Sequence, residues 1–205
     1  MNLIFDIDGT LWDSTDTVAD AWNQVVNELP ELNLHFTGDQ LKNLFGKPMD
    51  EICALAFPML SREEGLALGD RCFSFENQYL YEHPGRMYPG VLRTLEHLAQ
   101  SHSLYIVSNC QDGYIPAVLH GTGLSHLIRD SLCFGETGTC KAKTIRTLMQ
   151  RHHLSEAWYI GDTQGDLDAA HGAGIPFVYC AYGFGDAEGY EKKIGRFEEL
   201  MELFG

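Results

Sequence analysis

The chain has 205 residues, which fits one core domain with room for a smaller inserted one. Its 14 Lys and Arg against 29 Asp and Glu give a formal charge of -15, a surface that repels phosphate backbones and argues against nucleic acid as a partner. The opening Met-Asn-Leu-Ile-Phe-Asp has no basic start, and Ile175 to Phe184 is interrupted by Pro176 and Gly183, so neither signal peptide nor membrane span is expected and the protein is read as soluble and cytoplasmic.

The first apolar run, Leu3-Ile4-Phe5, ends in Asp6-Ile7-Asp8-Gly9-Thr10. Residues two apart on a strand point to the same side, so Asp6 and Asp8 can reach one pocket as the strand ends, with Gly9 allowing a sharp turn. Paired carboxylates in one pocket are costly unless a cation or a shared proton compensates them. That cost points to chemistry.

From Ser14 to Met87 the pattern turns helical. Val18, Ala21, Trp22, Val25, Val26 and Leu29 form one stripe before Pro30. Leu41, Leu44 and Phe45 predict a second short helix stopped by Gly46, Met49 to Ala56 a third, and Leu66 to Leu80 a longer fourth. Tyr88-Pro89-Gly90 marks the return from this insert. Its place directly after the acidic strand suggests a lid over the pocket. Phe45-Gly46-Lys47-Pro48 would then face a substrate, with Lys47 either meeting an anionic tail or lying exposed at a turn. Trp12 and Trp22 read as packing residues and His83 as a surface residue.

Beyond the insert, helical spacing in Val91-Leu92-Leu95-Leu98 precedes the strand-like run Leu104–Val107, which ends in Ser108-Asn109. A hydroxyl and a free N–H there could bind an oxyanion, although Ser-Asn is also an ordinary turn. Leu132–Phe134 predicts another strand, followed by a helix carrying Ile145, Leu148 and Met149. Lys141 stands at the start of that helix, unfavourably for the macrodipole unless an anion is near, and Lys143 is its competitor. Trp158–Ile160 runs into Gly161-Asp162-Thr163-Gln164-Gly165-Asp166, and Pro176–Cys180 gives a last strand. A carboxylate after a strand, joined to the Asp6 cluster, suits a hard cation such as Mg²⁺, whereas Asp166 or Asp168 alone could simply cap a helix. Six scattered cysteines and nine histidines without zinc-like spacing predict neither a disulfide framework nor a zinc site.

Strands alternating with helices predict an α/β fold, a Rossmann-like open parallel sheet flanked by helices, whose ligands gather at the carboxyl ends of strands. Residues 1–13 and 88–205 form the expected core and 14–87 an all-helical cap.

The segments DIDGT, Ser108, Lys141 and GDTQGD occur in the order and approximate spacing of the haloacid dehalogenase superfamily. The chain resembles its phosphoglycolate-phosphatase-like branch, with a helical cap after the first motif, over nearly its whole length. That resemblance implies a Mg²⁺-dependent phosphomonoesterase acting on a small phosphorylated metabolite through an aspartyl-phosphate. It implies Asp6 as nucleophile and Asp8 as general acid and base. Asp6, Asp162 and the Asp8 carbonyl would hold the metal, supported by Asp166. Gly9, Thr10, Ser108, Asn109 and Lys141 would bind phosphate or neutralise it, Thr10 as an outer hydrogen bond. The acid at position 8 points away from the dehalogenases, which need no proton donor. Phosphonate-cleaving relatives use a cap lysine, for which only Lys42 and Lys47 are available. A phosphomutase on the same chemistry, and a non-catalytic phospho-ligand binding protein, are the rival functions.

Overall fold

A computed structural model describes all 205 residues. Strand β1 (Asn2–Phe5) is followed by β2 (Trp12–Asp13), then by helices α1 (Thr15–Val26), α2 (Gly38–Lys42), α3 (Met49–Ala56) and α4 (Arg62–Glu82). After β3 (Arg86–Met87) the chain alternates through α5 (Val91–Leu98), β4 (Ser103–Ser108), α6 (Tyr114–Thr122), β5 (Ile128–Cys133), α7 (Phe134–Thr137), α8 (Lys141–Arg151), β6 (Ala157–Gly161) and α9 (Gln164–Ala173). It closes with β7 (Phe177–Cys180), β8 (Lys192–Ile194) and α10 (Leu200–Phe204).

Six strands form one parallel sheet in the order β5-β4-β1-β6-β7-β8. The chain steps outward from β1 through β4 to β5, then returns to the other side of β1 as β6. Such a reversal opens a crevice at the carboxyl ends of the central strands, where ligands bind in open α/β sheets. Asp6 directly follows β1 at that point.

Strand alternation divides the core into two layers. Leu3, Phe5, Leu104, Ile106, Ile160 and Val178 pack with residues of α5, α6 and α10. Ile4, Tyr105, Val107, Tyr159 and Phe177 pack with Ile145 and Leu148 of α8 and Leu167 and Ala170 of α9. Both faces are therefore covered, and this is why the strands read as short apolar runs rather than as alternating ones.

In the helices of 15–82 an aromatic group, continuous with the first of these layers, gathers around Trp22. Its ring meets Phe36, Phe57 and Phe73 at centroid distances of 5.3, 6.1 and 5.6 Å. A capping box fixes each of two helix starts, Thr37 with Gln40 on α2 and Ser61 with Glu64 on α4. The antiparallel pair of β2 and β3, Trp12 opposite Met87 and Asp13 opposite Arg86, carries the chain out of the core and back. No helix is long and apolar enough to cross a membrane.

Some boundaries differ from the sequence reading. The run Leu132–Phe134 marks only the end of β5, which begins at Ile128; its polar first half, Arg129 to Ser131, is partly exposed and carries no apolar signal, and Phe134 already opens α7. The first stripe overruns α1, which closes at Val26. The sequence reading names neither α6, with Gly113 and Gly123 at its two ends, nor β8, a three-residue edge strand bearing two exposed lysines. Exposed charge on a short edge protects it from pairing with other chains, and it also erases the strand signal.

A buried carboxylate is among the polar groups that join the helical insert to the core. Glu76 of α4 is 3% exposed and accepts from Trp22 Nε1 at 2.7 Å and from Gln111 Nε2, in the loop after β4, at 2.9 Å. Burial pushes its carboxyl up to about 8, against the lowering effect of the Gln111 and Trp22 donors. An acid whose pKa is raised on folding contributes most below its unfolded value, and stability falls as pH rises through the folded value. The stability of the wild type relative to Glu76→Gln should therefore decline between about pH 4.5 and 8, read as urea midpoints across that range. Parallel profiles for the two proteins would contradict the assigned proton affinity.

Candidate active site

Three carboxylates converge where β1 and β6 end. Oxygens of Asp6, Asp162 and Asp166 lie within 4.8 Å of one another, and all three residues are buried. Asp6 extends β1, its N–H donating to the Ile160 carbonyl at 2.9 Å. Asp162 directly follows β6, and Asp166 lies in the first turn of α9. One ammonium enters this cluster. Lys141 Nζ donates to Asp6 Oδ1 at 2.9 Å and to Asp166 Oδ1 at 2.6 Å. Lys143, two residues on, is exposed. The structure thus separates the two lysines that spacing alone left open.

Asp166 is fully engaged. Its Oδ2 accepts from the N–H groups of Asp162 and Thr163 at 3.2 and 3.1 Å and from Thr163 Oγ1 at 2.7 Å. Its Oδ1 holds Lys141. The carboxylate therefore caps α9 and clamps the loop that carries Asp162, and it acts on the cluster through Lys141. Burial alone would pull the Lys141 ammonium down, but Asp166 and Asp6 together hold it well above the ordinary lysine value. Asp6 is pushed up to about 6 by burial, against the lowering effect of Lys141. Burial, with Asp166 and Asp6 as neighbours, drives Asp162 well above the usual carboxylate range. One cation among three buried carboxylates leaves a deficit of positive charge. Oxygen donors with that deficit suit a hard divalent cation.

The turn after Asp6 fits against this cluster. Gly9 has φ +80°, and a Cβ there would collide with the Asp162 carboxylate, so only glycine serves. Thr10 is fully buried and donates to Asp162 Oδ1 at 3.3 Å, which places it behind the carboxylate rather than on the cavity wall. The Phe184 N–H donates to Asp162 Oδ2 at 2.7 Å from the loop after β7.

Asp8 points to a different set of partners. Its Oδ1 accepts from Trp12 Nε1 at 3.0 Å, Ser14 Oγ at 3.1 Å and the Tyr114 hydroxyl at 2.7 Å. Burial raises its carboxyl to about 7, opposed by the Tyr114 hydrogen bond and aided by the charge of Asp6. All three donors sit on one oxygen, so a proton bound near neutral pH belongs on Oδ2.

A cavity of about 40 Å³ lies between core and cap, with Asp6, Asp8, Ser108 and Asn109 on the core side and Phe45, Lys47 and Glu76 on the cap side. That is room for about three waters. Asn109 Nδ2 donates to the Gly46 carbonyl at 2.8 Å, so a residue expected to bind phosphate also ties down the cap loop. Lys47 reaches the cavity and pairs with Glu51 at 3.1 Å. Lys42 faces Asp13 and Asp39 at 3.7 and 3.6 Å instead.

Sequence reasoning missed Tyr114, Gln111 and Phe184, which lie in loops or helix starts with no periodic mark. It also gave Trp12 and Trp22 only packing roles, whereas their indole N–H groups hold the carboxylates of Asp8 and Glu76. Glu76 carried a legible signal: it interrupts the apolar stripe Leu68, Cys72, Phe73 and Leu80 on the buried face of α4.

The profile of the haloacid dehalogenase-like hydrolases matches residues 3–180. A phosphoglycolate phosphatase of Mannheimia succiniciproducens is 30% identical over 191 residues, covering 88% of this chain and 85% of the relative. One of Vibrio parahaemolyticus is 28% identical over 200 residues, covering 91% and 86%. In shape, the chain is similar to the crystal structure of a predicted phosphoglycolate phosphatase from Haemophilus somnus, with TM-score 0.84, 23% identity and coverage of 100% and 97%. It is also similar to a haloacid dehalogenase-like family protein of Streptococcus pneumoniae, with TM-score 0.78, 23% identity and coverage of 100% and 98%. With the parallel sheet, the inserted helices and the acidic cluster at the tip of β1, these matches establish that the chain belongs to the haloacid dehalogenase-like hydrolases.

Proposed function

We propose that the protein is a Mg²⁺-dependent phosphomonoesterase that hydrolyses a small phosphorylated metabolite through an aspartyl-phosphate on Asp6. The observation that carries this reading is the Lys141 ammonium, which bridges Asp6 and Asp166 while Asp162 stands beside them uncompensated. The phosphoglycolate phosphatases among the relatives make 2-phosphoglycolate the first ester to assay.

Asp6 uses the oxygen that Lys141 leaves free, Oδ2, to attack phosphorus. A P–O bond to Asp6 forms as the bond to the leaving alcohol breaks. Asp8 gives its proton to the departing oxygen, then takes one from the water that cleaves the aspartyl-phosphate, releasing inorganic phosphate and restoring Asp6 as a carboxylate and Asp8 as the acid. The affinity of Asp8 for a proton near pH 7 supports this double role. Trp12, Ser14 and Tyr114 fix its orientation. Ser108 and the nearby N–H groups grip phosphate oxygens, and Lys141 offsets the charge of nucleophile and phosphate together. Asp6, Asp162 and the Asp8 carbonyl are the groups that would hold Mg²⁺, whose chemistry when bound is to screen the nucleophile from the phosphoryl charge.

The helices of 14–87 serve as a cap. The cavity lies on the seam between these helices and the core, so the seam sets what can enter. The bonds Asn109–Gly46 and Gln111–Glu76 cross that seam.

Asp6→Asn should lower the hydrolysis of an aryl phosphate by at least about 10³-fold with unchanged circular dichroism. Substantial residual turnover would remove Asp6 as nucleophile. Asp8→Asn should cost about 10²–10⁴-fold for alkyl phosphates and much less for aryl phosphates, whose leaving groups need little protonation. Equal losses would contradict the acid role. A sugar phosphate returned as its isomer, with no phosphate released, would favour a mutase instead.

A further inference from the structure

The wall of the cavity where the helical insert meets the loop after β4 has a hydrogen-bonding polarity that can be traced from the backbone. Asn77 Nδ2 donates to the Asp112 carbonyl at 2.8 Å, so Asn77 Oδ1 faces Gln111 and accepts from its Nε2 at 3.0 Å. The other Gln111 N–H goes to Glu76 Oε1 at 2.9 Å, and Trp22 Nε1 fills Glu76 Oε2 at 2.7 Å. Asn109 is oriented in the same way by the Gly46 carbonyl at 2.8 Å. A carbonyl can only accept, so each amide has a single orientation.

Both Gln111 N–H groups and the Trp22 indole N–H are therefore already engaged with protein acceptors, while Asn109 keeps one amide N–H free. Gln111 Oε1, Asn109 Oδ1 and the remaining lone pairs of Glu76 have no protein donor. Lys47, the one basic side chain of the lining, is tied to Glu51 at 3.1 Å and is 37% exposed. A carboxylate on the leaving group would meet acceptors and add charge near Asp8. A hydroxyl both donates and accepts, so it suits the amide oxygens and suits Glu76 with or without its proton.

We propose that Glu76 is a specificity-determining residue, and that with Gln111 and Asn109 it selects phosphate esters whose leaving alcohol carries a further hydroxyl over those that carry a carboxylate. This rests on the phosphatase reading above and narrows its substrate class. A site built to hydrogen-bond a hydroxyl discriminates strongly against analogues that leave its buried polar groups unpaired.

A matched pair tests this: 2-hydroxyethyl phosphate and 2-phosphoglycolate differ only in a terminal CH₂OH or carboxylate. With Mg²⁺ present, wild-type kcat/KM should favour the hydroxyl ester by at least about tenfold. Glu76→Gln should shrink that ratio at least about threefold, since one acceptor oxygen becomes a donor. A wild-type preference for 2-phosphoglycolate, or an unchanged ratio in a folded Glu76→Gln protein, overturns the proposal. Should the variant fail to fold, the wild-type pair decides alone. An aryl phosphate run alongside separates the two readings. If it too is not hydrolysed, the phosphatase reading falls and takes this inference with it; if it is hydrolysed while 2-phosphoglycolate is preferred, only this inference falls.

Discussion

The Lys141 ammonium, held between Asp6 and Asp166, is the contact on which the rest of the site depends. It joins the tip of β1 to the first turns of α8 and α9, three elements distant in the chain. Removing one partner of a buried ion pair strands the other, which costs several kcal/mol, about 3–5 in measured cases. Lys141 neutralises only part of the charge around it. The sheet topology assembles a carboxylate cluster that folding alone does not balance. Such a cluster costs stability unless something else brings charge to it, and its three buried carboxylates are placed so that they could hold a cation.

The two acids of the DIDGT turn are placed in unlike surroundings, a difference that accords with the roles proposed for them. Asp6 touches a cation, and Asp8 touches three neutral donors on one oxygen. Burial raises both, to about 6 and about 7, but only Asp6 has an opposing ammonium. The proposed nucleophile must be ionised and the proposed acid must carry a proton, and only Asp6 has an ammonium beside it to favour the ionised form. The donors on Asp8 come from Trp12 and Ser14 at the exit toward the cap and from Tyr114 of α6. The Asp8 carboxylate is thus fixed in part by the same segment that leads into the helical insert.

Much of this was legible in the sequence because it rests on short local signals. Strand tips announce themselves as apolar runs followed by Asp, Ser or Gly, and the order of those tips gave the parallel sheet and the meeting of Asp6, Ser108 and Asp162. Capping chemistry made Asp166 visible while leaving its function ambiguous, since a helix cap and a lysine clamp are the same side chain here. Other parts were hidden for physical reasons. Strand β5 begins with polar, half-exposed residues, and β8 is too short and charged to alternate. Tyr114, Gln111 and Phe184 act through contacts between residues far apart in the chain, of which no local pattern gives notice. Thr10, read from its place beside the motif as an outer hydrogen bond, donates its hydroxyl to Asp162. Glu76 could have been found, because a charged residue on a buried apolar stripe demands partners.

Crystallography with Mg²⁺ and a phosphate mimic puts the central claim to its most direct test. The account predicts an ion coordinated by Asp6 and Asp162, with Lys141 still bound to Asp6 and Asp166. An empty cluster at saturating Mg²⁺, or an ion seated away from these carboxylates, would contradict it.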